Sequence, residues 1–306
     1  MLIPPLVLLI VVGAITWVAF SAAGKPADER SSDVSTLAVP WIDPNGIAPV
    51  VGSVDVNPAD RSLWVATNTG LWRIPPAAGR PARVTGSLST DQGDGRISEQ
   101  LVVRFAGPDR ALASGHPPSD SALPPALGLI ETRDAGKTWS SISQLGRGDF
   151  HALQLSGTVI VAAAFGEAAA TVSRDGGRSF DLRVTPAALV DLAVNPEDPS
   201  RWVASTQNGL ITSDDEGHSW REREPVPNIR FTWPAADSLY RVDPGGPVKF
   251  SNDGGRTWHA RGTTGGEPQA LFADAVDHLY AVLLDGTVKE SRDGGATWKD
   301  RVTPPA

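Results

Sequence analysis

The sequence predicts an all-β fold, a β-propeller whose six blades are four-stranded antiparallel sheets. Three observations predict it. A motif of eight residues recurs five times at steps of 38–41 residues, each copy lies in a unit of four short strand-like segments, and the composition suits turns and aromatic packing. The 306 residues include 10 Trp, 31 Gly and 26 Pro, which is typical of short strands joined by many turns.

The octet has the pattern Ser/Thr-x-Asp-x-Gly-x-Ser/Thr-Trp/Phe. Its copies start at residues 132, 173, 213, 251 and 291 and read TRDAGKTW, SRDGGRSF, SDDEGHSW, SNDGGRTW and SRDGGATW. Asp and Ser side chains tie down tight turns, glycine permits positive φ, and the closing aromatic ring packs between strands. We therefore interpret the octet aspartates as structural; they are Asp134, Asp175, Asp215, Asp253 and Asp293.

The unit at 189–225 shows the repeat most clearly. It contains the strand-like segments LVDLAV, RWVAS, GLITS and SWRERE, separated by turn residues. Six such units start near residues 50, 98, 148, 187, 228 and 267. Radial packing of the sheets would cover both faces of each blade and protect the strand edges. Residues 34–45 could supply part of a seventh blade, but we expect them to add a strand that latches the ring.

The octets resemble Asp boxes, also called BNR repeats, and the resemblance covers nearly all of residues 50–302. Asp boxes occur in sialidases, in sortilin-type receptors and in the propeller that assists photosystem II assembly. The string from Gly115 to Leu153 also resembles exported bacterial Asp-box proteins described as sialidase-like or glycosyl-hydrolase-like. The resemblance implies a propeller in which the octet turn joins the third and fourth strands, away from the functional face. It does not imply one function, because this fold carries both enzymes and binding proteins.

The first 23 residues predict a membrane anchor or a signal peptide. Residues 2–23 contain no charged side chain and are long enough to span a bilayer, while Ser21-Ala22-Ala23 offers small residues for a signal peptidase. A buried soluble helix is the remaining alternative. Residues 24–47 are expected to form a linker and residues 48–306 the propeller. We therefore expect an extracytoplasmic protein, either anchored in the membrane or secreted.

A true sialidase is disfavoured. The resemblance implies a catalytic Tyr, but Tyr240 and Tyr280 are the only tyrosines and both occupy the second strand of a unit, where packing residues are expected. The sequence Arg73-Ile74-Pro75 imitates a sialidase motif. It lies on the third strand of its unit, whereas the sialidase arginine comes from the innermost strand.

Three long polar segments should form the functional face. They are residues 87–100, 114–128 and 145–153, because propeller ligands contact the loops that enter the first strand or join the second to the third. His116, Asp149 and His151 fall in these segments and could bind a metal or act as acid and base, and Asp94 and Glu99 are further candidate carboxylates. Alternatively, both histidines hydrogen-bond loop backbones.

Three residues of the first strands are candidate ligand contacts. Arg104, Arg230 and Trp233 could point into the central channel, where the indole could stack on a sugar or a peptide. Alternatively, the arginines pair with neighbouring carboxylates such as Asp191.

Several functional classes are excluded or disfavoured. The formal net charge is −8 and no basic cluster offers a nucleic-acid footprint. There is no cysteine, hence no disulfide or thiolate chemistry. Gly136-Lys137-Thr138 imitates a P-loop, but Glu131 occupies the position of the first P-loop glycine. We assign no cofactor and no metal. The sequence predicts a monomer that binds a glycan or a protein at its central face; the alternatives are a glycoside hydrolase and an assembly factor for a membrane complex.

Overall fold

The computed structural model describes residue 41 and residues 49–76, 80–97 and 101–303. The described residues form six β-sheets, so the six-bladed all-β propeller is confirmed. The anchor or signal peptide expected over 2–23 and most of the linker expected over 24–47 lie outside this range. Within it, no helix has the length and hydropathy needed to cross a bilayer.

Five blades have four antiparallel strands in sequence order. Blade 1 contains β1 (Val51–Val56), β2 (Leu63–Thr67), β3 (Gly70–Ile74) and β4 (Ala82–Val84). Blade 3 contains β11 (Phe150–Ser156), β12 (Val159–Ala164), β13 (Ala169–Ser173) and β14 (Asp181–Val184). Blade 4 contains β15 (Leu189–Val194), β16 (Trp202–Thr206), β17 (Gly209–Ser213) and β18 (Arg221–Glu224). Blade 5 contains β19 (Arg230–Ala235), β20 (Ser238–Val242), β21 (Pro247–Ser251) and β22 (His259–Thr263). Blade 6 contains β23 (Pro268–Ala275), β24 (His278–Leu283), β25 (Val288–Ser291) and β26 (Lys299–Val302).

Blade 2 is a six-stranded sheet with the order β6-β5-β10-β9-β8-β7. Its strands are β5 (Gly86–Thr90), β6 (Gly93–Ile97), β7 (Leu101–Phe105), β8 (Ala111–Gly115), β9 (Leu129–Thr132) and β10 (Thr138–Ser143). The hairpin β5–β6 extends the outer edge of the blade, because β5 pairs in parallel with β10 through Leu88 and Trp139. The expectation that residues 87–100 form a loop on the functional face is therefore wrong for the described part, 87–97.

Burial changes across each blade as the sequence pattern predicts. The second strands of blades 1 and 4, LWVAT and WVAST, are buried at every residue. They lie inside a sheet that is covered on both faces, which explains their nearly continuous runs of apolar and small side chains. The outer strand RERE of blade 4 is exposed over most of its length. Tyr240 and Tyr280 lie on second strands, are 1% and 4% exposed, and pack in the core as expected.

All five octets form the same hydrogen-bonded turn between the third and fourth strands of their blades. In blade 4, the Ser213 hydroxyl donates to Asp215 and accepts from the Gly217 amide. Asp215 also accepts from the amide and the hydroxyl of Ser219. The equivalent serines or threonines, aspartates and glycines repeat this network in blades 2, 3, 5 and 6. The turns lie at the end of the ring opposite the starts of the first strands, because the strands alternate in direction.

Side chains of one blade bind backbone amides of the next. Ser53 of blade 1 accepts from the Val103 amide, Ser205 of blade 4 from the Ile229 amide, and Thr232 of blade 5 from the Ala273 amide. Each first strand thereby gains a hydrogen bond from its neighbour that no strand pairing within the blade supplies. These bonds set the angular position of one blade against the next.

The ring closes between blades 6 and 1 through side chains. Gln269 of blade 6 accepts from the Val51 amide and donates to the Pro49 carbonyl. The fully buried Trp41 donates its indole N–H to the Gly286 carbonyl of blade 6 and packs against Trp72 of blade 1, with ring centroids 6.0 Å apart. Of the segment 34–45, only Trp41 is described, so the expected latching strand remains a prediction.

Candidate functional site

A central cavity of about 170 Å³ opens at the face where the first strands begin. All six first strands contribute to its wall, together with the β12–β13 turn. The lining residues are Val50, Val51, Gly52, Ser53, Val102, Arg104, His151, Ala152, Gln154, Phe165, Val190, Asp191, Arg230, Gln269, Ala270 and Leu271. This is the face on which the sequence places the functional loops, and we call its opening the cavity mouth.

Arg104 and Arg230 both line the cavity and occupy equivalent positions in blades 2 and 5. A terminal guanidinium N–H of Arg104 donates to the Val54 carbonyl at 3.2 Å, and Arg230 donates to the Val190 carbonyl at 3.1 Å. Each arginine thus reaches back to the first strand of the preceding blade. The sequence prediction that both side chains point towards the channel agrees with this placement.

Two aspartates of the preceding blades lie beside these arginines. Asp55 accepts from the Phe105 amide and Asp191 from the Phe231 amide, at 3.0 and 2.8 Å. Burial raises the pKa of Asp55 to about 6, although the charge of Arg104 and two backbone N–H groups oppose the shift. Burial also raises the pKa of Asp191, opposed first by the charge of Arg230. The charge of Arg230 thus acts on Asp191, but no direct ion pair joins the two among the described residues, because the guanidinium donates to the Val190 carbonyl. Asp55 is an equivalent residue that the sequence reasoning missed.

His116, Asp149 and His151 form a cluster at the cavity mouth. Nε2 of His116 lies 3.1 Å from Oδ2 of Asp149, and Nε2 of His151 lies 3.1 Å from both carboxylate oxygens. About a third or more of each of these side chains is exposed, at 33%, 35% and 41%. Two loops of adjacent blades thus bring together three residues that the sequence singled out. The pKa of the Asp149 carboxyl lies below its usual range, because the two imidazoles outweigh the opposing effect of partial burial.

The local structure explains how the cluster is held. His116 follows β8 in the long loop of residues 116–128, and Asp149 and His151 flank the first residue of β11. The Gly128 amide donates to the Gly148 carbonyl, which ties the two segments together. Nδ1 of His116 lies 2.7 Å from the Pro125 carbonyl within its own loop. The alternative that the histidines bind loop backbone is therefore realised for one nitrogen of His116.

The hairpin β5–β6 supports the loop that carries His116. Leu88 and Ile97 of the hairpin are buried in one core cluster with Leu123 and Leu127 of the loop. A side chain at Gly93 would collide with the Ala122 carbonyl, so the backbones are in close contact. The insertion in blade 2 therefore contributes to the site by packing beneath it.

Other candidates lie elsewhere. Asp94 is exposed on β6 at the outer edge of blade 2 and accepts from the Ser89 hydroxyl. Trp233 is 7% exposed, donates its indole N–H to the Ala236 carbonyl and packs in the core between blades, so the expectation that its ring faces the channel is wrong. Its position near the end of β19, beside a β-bulge, explains the difference. Glu99 lies outside the described residues. Arg73 lies on β3 and pairs with Asp60, as its register predicted.

The cavity mouth also carries apolar surface that the sequence reasoning missed. A second pocket of about 260 Å³ adjoins the cavity and is lined by Val50, Gly52, Asn68, Leu101, Val102, Phe150 and His151. Phe165 is 71% exposed in the β12–β13 turn and its ring lies 6.0 Å from that of His151. A phenylalanine directly before the turn residue Gly166 was the available signal, since the corresponding turns of blades 1 and 4 carry the polar residues Asn68 and Gln207.

Solved structures with similar folds are also propellers. A structure of YCF48 bound to D1 peptide superposes with a TM-score of 0.55 at 13% identity, covering 81% of this chain and 94% of that one. YCF48 from Cyanidioschyzon merolae gives 0.52 at 15% identity, with 87% of both chains covered. An ancestral GH74 enzyme gives 0.51 at 14% identity, with 84% of this chain and 38% of that one covered. At these identities the similarity shows the fold alone.

No protein-family model matches the chain. No curated protein sequence matches it either.

Proposed function

We propose that this chain is a binding propeller that holds a segment of a protein partner at the cavity mouth. One observation carries the proposal: three of the six exposed large apolar side chains in the described part of the chain lie on the face around this opening. Phe165 is 71% exposed, Val50 64% and Leu284 43%, and they come from blades 3, 1 and 6. Exposed apolar groups around a concave site with polar groups inside it are typical of protein interaction surfaces.

The polar groups inside the cavity suit the same kind of ligand. Arg104 and Arg230 bring guanidinium groups into the cavity below the apolar rim. Asp55 and Asp191 lie beside the two arginines and oppose their charge. We therefore do not expect the cavity to bind a ligand for its negative charge alone. An extended polypeptide fits this mixture, because its carbonyl groups accept hydrogen bonds while one apolar side chain fills the pocket next to Phe150.

A glycan ligand is the first alternative. Sugar faces commonly stack on exposed aromatic rings, and Phe165 offers one such ring at the mouth. None of the described tryptophans is exposed, however, and Trp233 is buried. A protein ligand is further supported by the structure of YCF48 bound to D1 peptide, a fold neighbour whose bound ligand is a peptide. If the partner of this chain belongs to a membrane complex, the chain would act as an assembly factor.

A glycoside hydrolase is the second alternative. Such an enzyme needs two carboxyl groups about 5–9.5 Å apart across the bond that breaks. Asp149 is engaged with two imidazoles, while Asp94 lies on the outer hairpin of blade 2. The similarity to a GH74 enzyme shows only the fold. We therefore favour binding over catalysis.

Location and domain boundaries belong to the same proposal. We infer that the octets are Asp boxes, that residues 1–23 anchor or export the chain, that 24–47 form the linker and that 48–306 form the propeller outside the cytoplasm. Terminal sequencing of the mature chain and protease protection in intact cells test this. An intact N-terminus on a protease-protected soluble protein would contradict it.

Site-specific crosslinking tests the binding site. A photoreactive amino acid replaces Phe165 in the full chain, and a matched control carries it at Leu182, which is 63% exposed on the outer strand of blade 3. We expect one protein adduct at position 165 that is absent at 182 and is lost when Val50→Asp is added. Identical adducts at both positions, or a glycan bound without any protein adduct, would reject a protein partner at the mouth.

A further inference from the structure

The hydrogen bonds of His116 restrict what its second nitrogen can do. Nδ1 lies 2.7 Å from the Pro125 carbonyl, which only accepts, so Nδ1 carries the proton. In the neutral ring, Nε2 then presents a lone pair. That lone pair faces Oδ2 of Asp149 at 3.1 Å, and two acceptors at this distance repel each other. A positive charge between or on these groups is required: either a second proton on His116 or a bound cation.

The Asp149 carboxylate points to the cation. Its Oδ1 atom is buried and makes no hydrogen bond within the described part of the chain, although Nε2 of His151 is only 3.1 Å away. The same Nε2 hydrogen-bonds to Oδ2 at 3.1 Å, so Oδ1 is the oxygen of this carboxylate that has no donor. A metal ion places no donor hydrogen between its ligands, so the same proximity is compatible with metal binding.

His278 provides a contrast within the same molecule. Its Nδ1 lies 2.9 Å from Asp274 and its Nε2 2.7 Å from Glu290, so one imidazole meets two carboxylates. An imidazolium satisfies that arrangement with ordinary ion pairs, although Oδ1 of Asp274 also makes no hydrogen bond within the described residues. The two clusters therefore differ in their ratio of imidazoles to carboxylates and not in the unpaired oxygen. In the cluster at the mouth the ratio is reversed, because two imidazoles converge on one carboxylate.

We propose that Nε2 of His116, Nε2 of His151 and the Asp149 carboxylate bind one divalent first-row transition metal ion, with Zn²⁺ as the best match. The three ligand atoms lie within 4.8 Å of one another. Ligand atoms about 2.0–2.2 Å from a zinc ion lie roughly 3.4 Å apart in a tetrahedral site, close to the 3.1 Å separations observed here. Imidazole and carboxylate ligands without thiolates suit zinc and its neighbours better than calcium or magnesium.

The surroundings also fit a metal site. A ligating histidine usually donates its other ring N–H to a carbonyl or carboxylate, which is the role of the Pro125 carbonyl towards His116. Three protein ligands leave a fourth position for water or for a donor atom of a bound molecule. Since His151 also lines the central cavity, this position lies beside the cavity mouth. The metal site is independent of the identity of any partner.

Metal titration of the full chain in mild detergent tests the proposal. After chelator treatment and dialysis, calorimetry should show one high-affinity Zn²⁺ site per chain. We expect His116→Ala, His151→Ala and Asp149→Asn each to weaken binding by at least about tenfold. The matched control is His259→Ala, which removes an exposed histidine from an outer strand of blade 5 and should leave the affinity unchanged.

Two further measurements separate a built site from loose binding and from misfolding. Co²⁺ should give visible absorption bands of a low-coordinate site in the wild type and in His259→Ala, but not in the three ligand variants. Zn²⁺ should raise the Tm of the wild type, while the metal-free Tm values of all variants show that they fold. The proposal is overturned if the wild type binds no Zn²⁺, or if folded ligand variants bind it as tightly as the wild type.

Discussion

Asp215 accepts hydrogen bonds from both the backbone amide and the hydroxyl of Ser219, at 2.8 and 2.5 Å. The same carboxylate accepts from the Ser213 hydroxyl. One side chain therefore holds the whole turn between β17 and β18. Four other octets repeat the arrangement, and each lies on the face opposite the cavity mouth.

We expect Asp215→Ala to lower stability and to leave the cavity unchanged. Loss of several hydrogen bonds to an exposed carboxylate should cost about 1–2 kcal/mol and lower the Tm by roughly 2–6 °C. Thermal unfolding measures the shift, with Glu222→Ala on the exposed face of the same blade as control. Unchanged stability combined with lost binding at the mouth would show that the octet has a functional role.

The octet carboxylates should make the fold sensitive to strong acid. Hydrogen bonds, the largest from the Ser219 and Thr297 hydroxyls, lower the pKa of Asp215 and of Asp293 from 3.8 to about 2. Because the unfolded chain binds protons more readily, their stabilisation is present above about pH 4 and is lost as the pH falls towards 2. We expect the free energy of unfolding to decrease in this window, and to decrease less steeply in an Asp215→Asn/Asp293→Asn variant. Equal slopes would contradict this prediction.

Asp55 should produce the opposite dependence at higher pH. Burial raises its folded-state pKa from 3.8 to about 6, so the folded chain binds the proton more readily than the unfolded chain. Its protonated form favours folding below about pH 4, and this contribution, on the order of 3 kcal/mol, is lost as the pH rises to about 6. Chemical unfolding between pH 4 and 6 should show a loss of stability that is smaller in Asp55→Asn. The exposed Asp94→Asn should behave as the wild type. Asp191 contributes in the same direction, so some slope should remain.

Trp41 should be critical for closing the ring. It is fully buried and joins blade 6, through the Gly286 carbonyl, to blade 1, through Trp72 and the hydroxyl of Thr69. Trp41→Ala should lower the free energy of unfolding by about 3–5 kcal/mol. Trp41→Phe should lower it less, because an aromatic ring still fills the site and only the indole N–H donor is lost. Denaturant unfolding distinguishes the two. A loss below about 1 kcal/mol for Trp41→Ala would show that closure does not depend on this residue.

The interior of the propeller was readable from the sequence because its rules are local. Five octet-containing units and one similar unit at the start predicted six blades, and the unit starts near 98, 148 and 228 fall within three residues of Leu101, Phe150 and Arg230, where the first strands begin. A strand needs apolar residues and its turns need Gly, Asp and Asn at set positions. The strands and turns of a repeated unit can therefore be predicted from the residues of that unit. The register of Arg73 followed in the same way.

The placement of side chains between units could not be read in this way. Trp233 was expected in the channel, but the bulge in β19 puts its ring between blades, and no sequence pattern marked that bulge. Residues 87–97 looked like a long loop, yet they pair with β10 as an extra hairpin, since a parallel pairing to a distant strand leaves no local signal. Phe165, Val50 and Leu284 became one surface only when three blades were placed around the cavity.

The sequence by itself determined the repeat and the all-β propeller fold, and it predicted six blades, a structural role for the octets and the histidines and arginines of the candidate site. The tertiary structure decided which of them meet. His116 lies 35 positions before His151 in the chain, and their convergence on Asp149 depends on the Gly128–Gly148 hydrogen bond and on the angle between blades 2 and 3. The residues of each unit specify the strands of that unit. A site is built from contacts between units, and the residues of one unit alone do not specify those contacts.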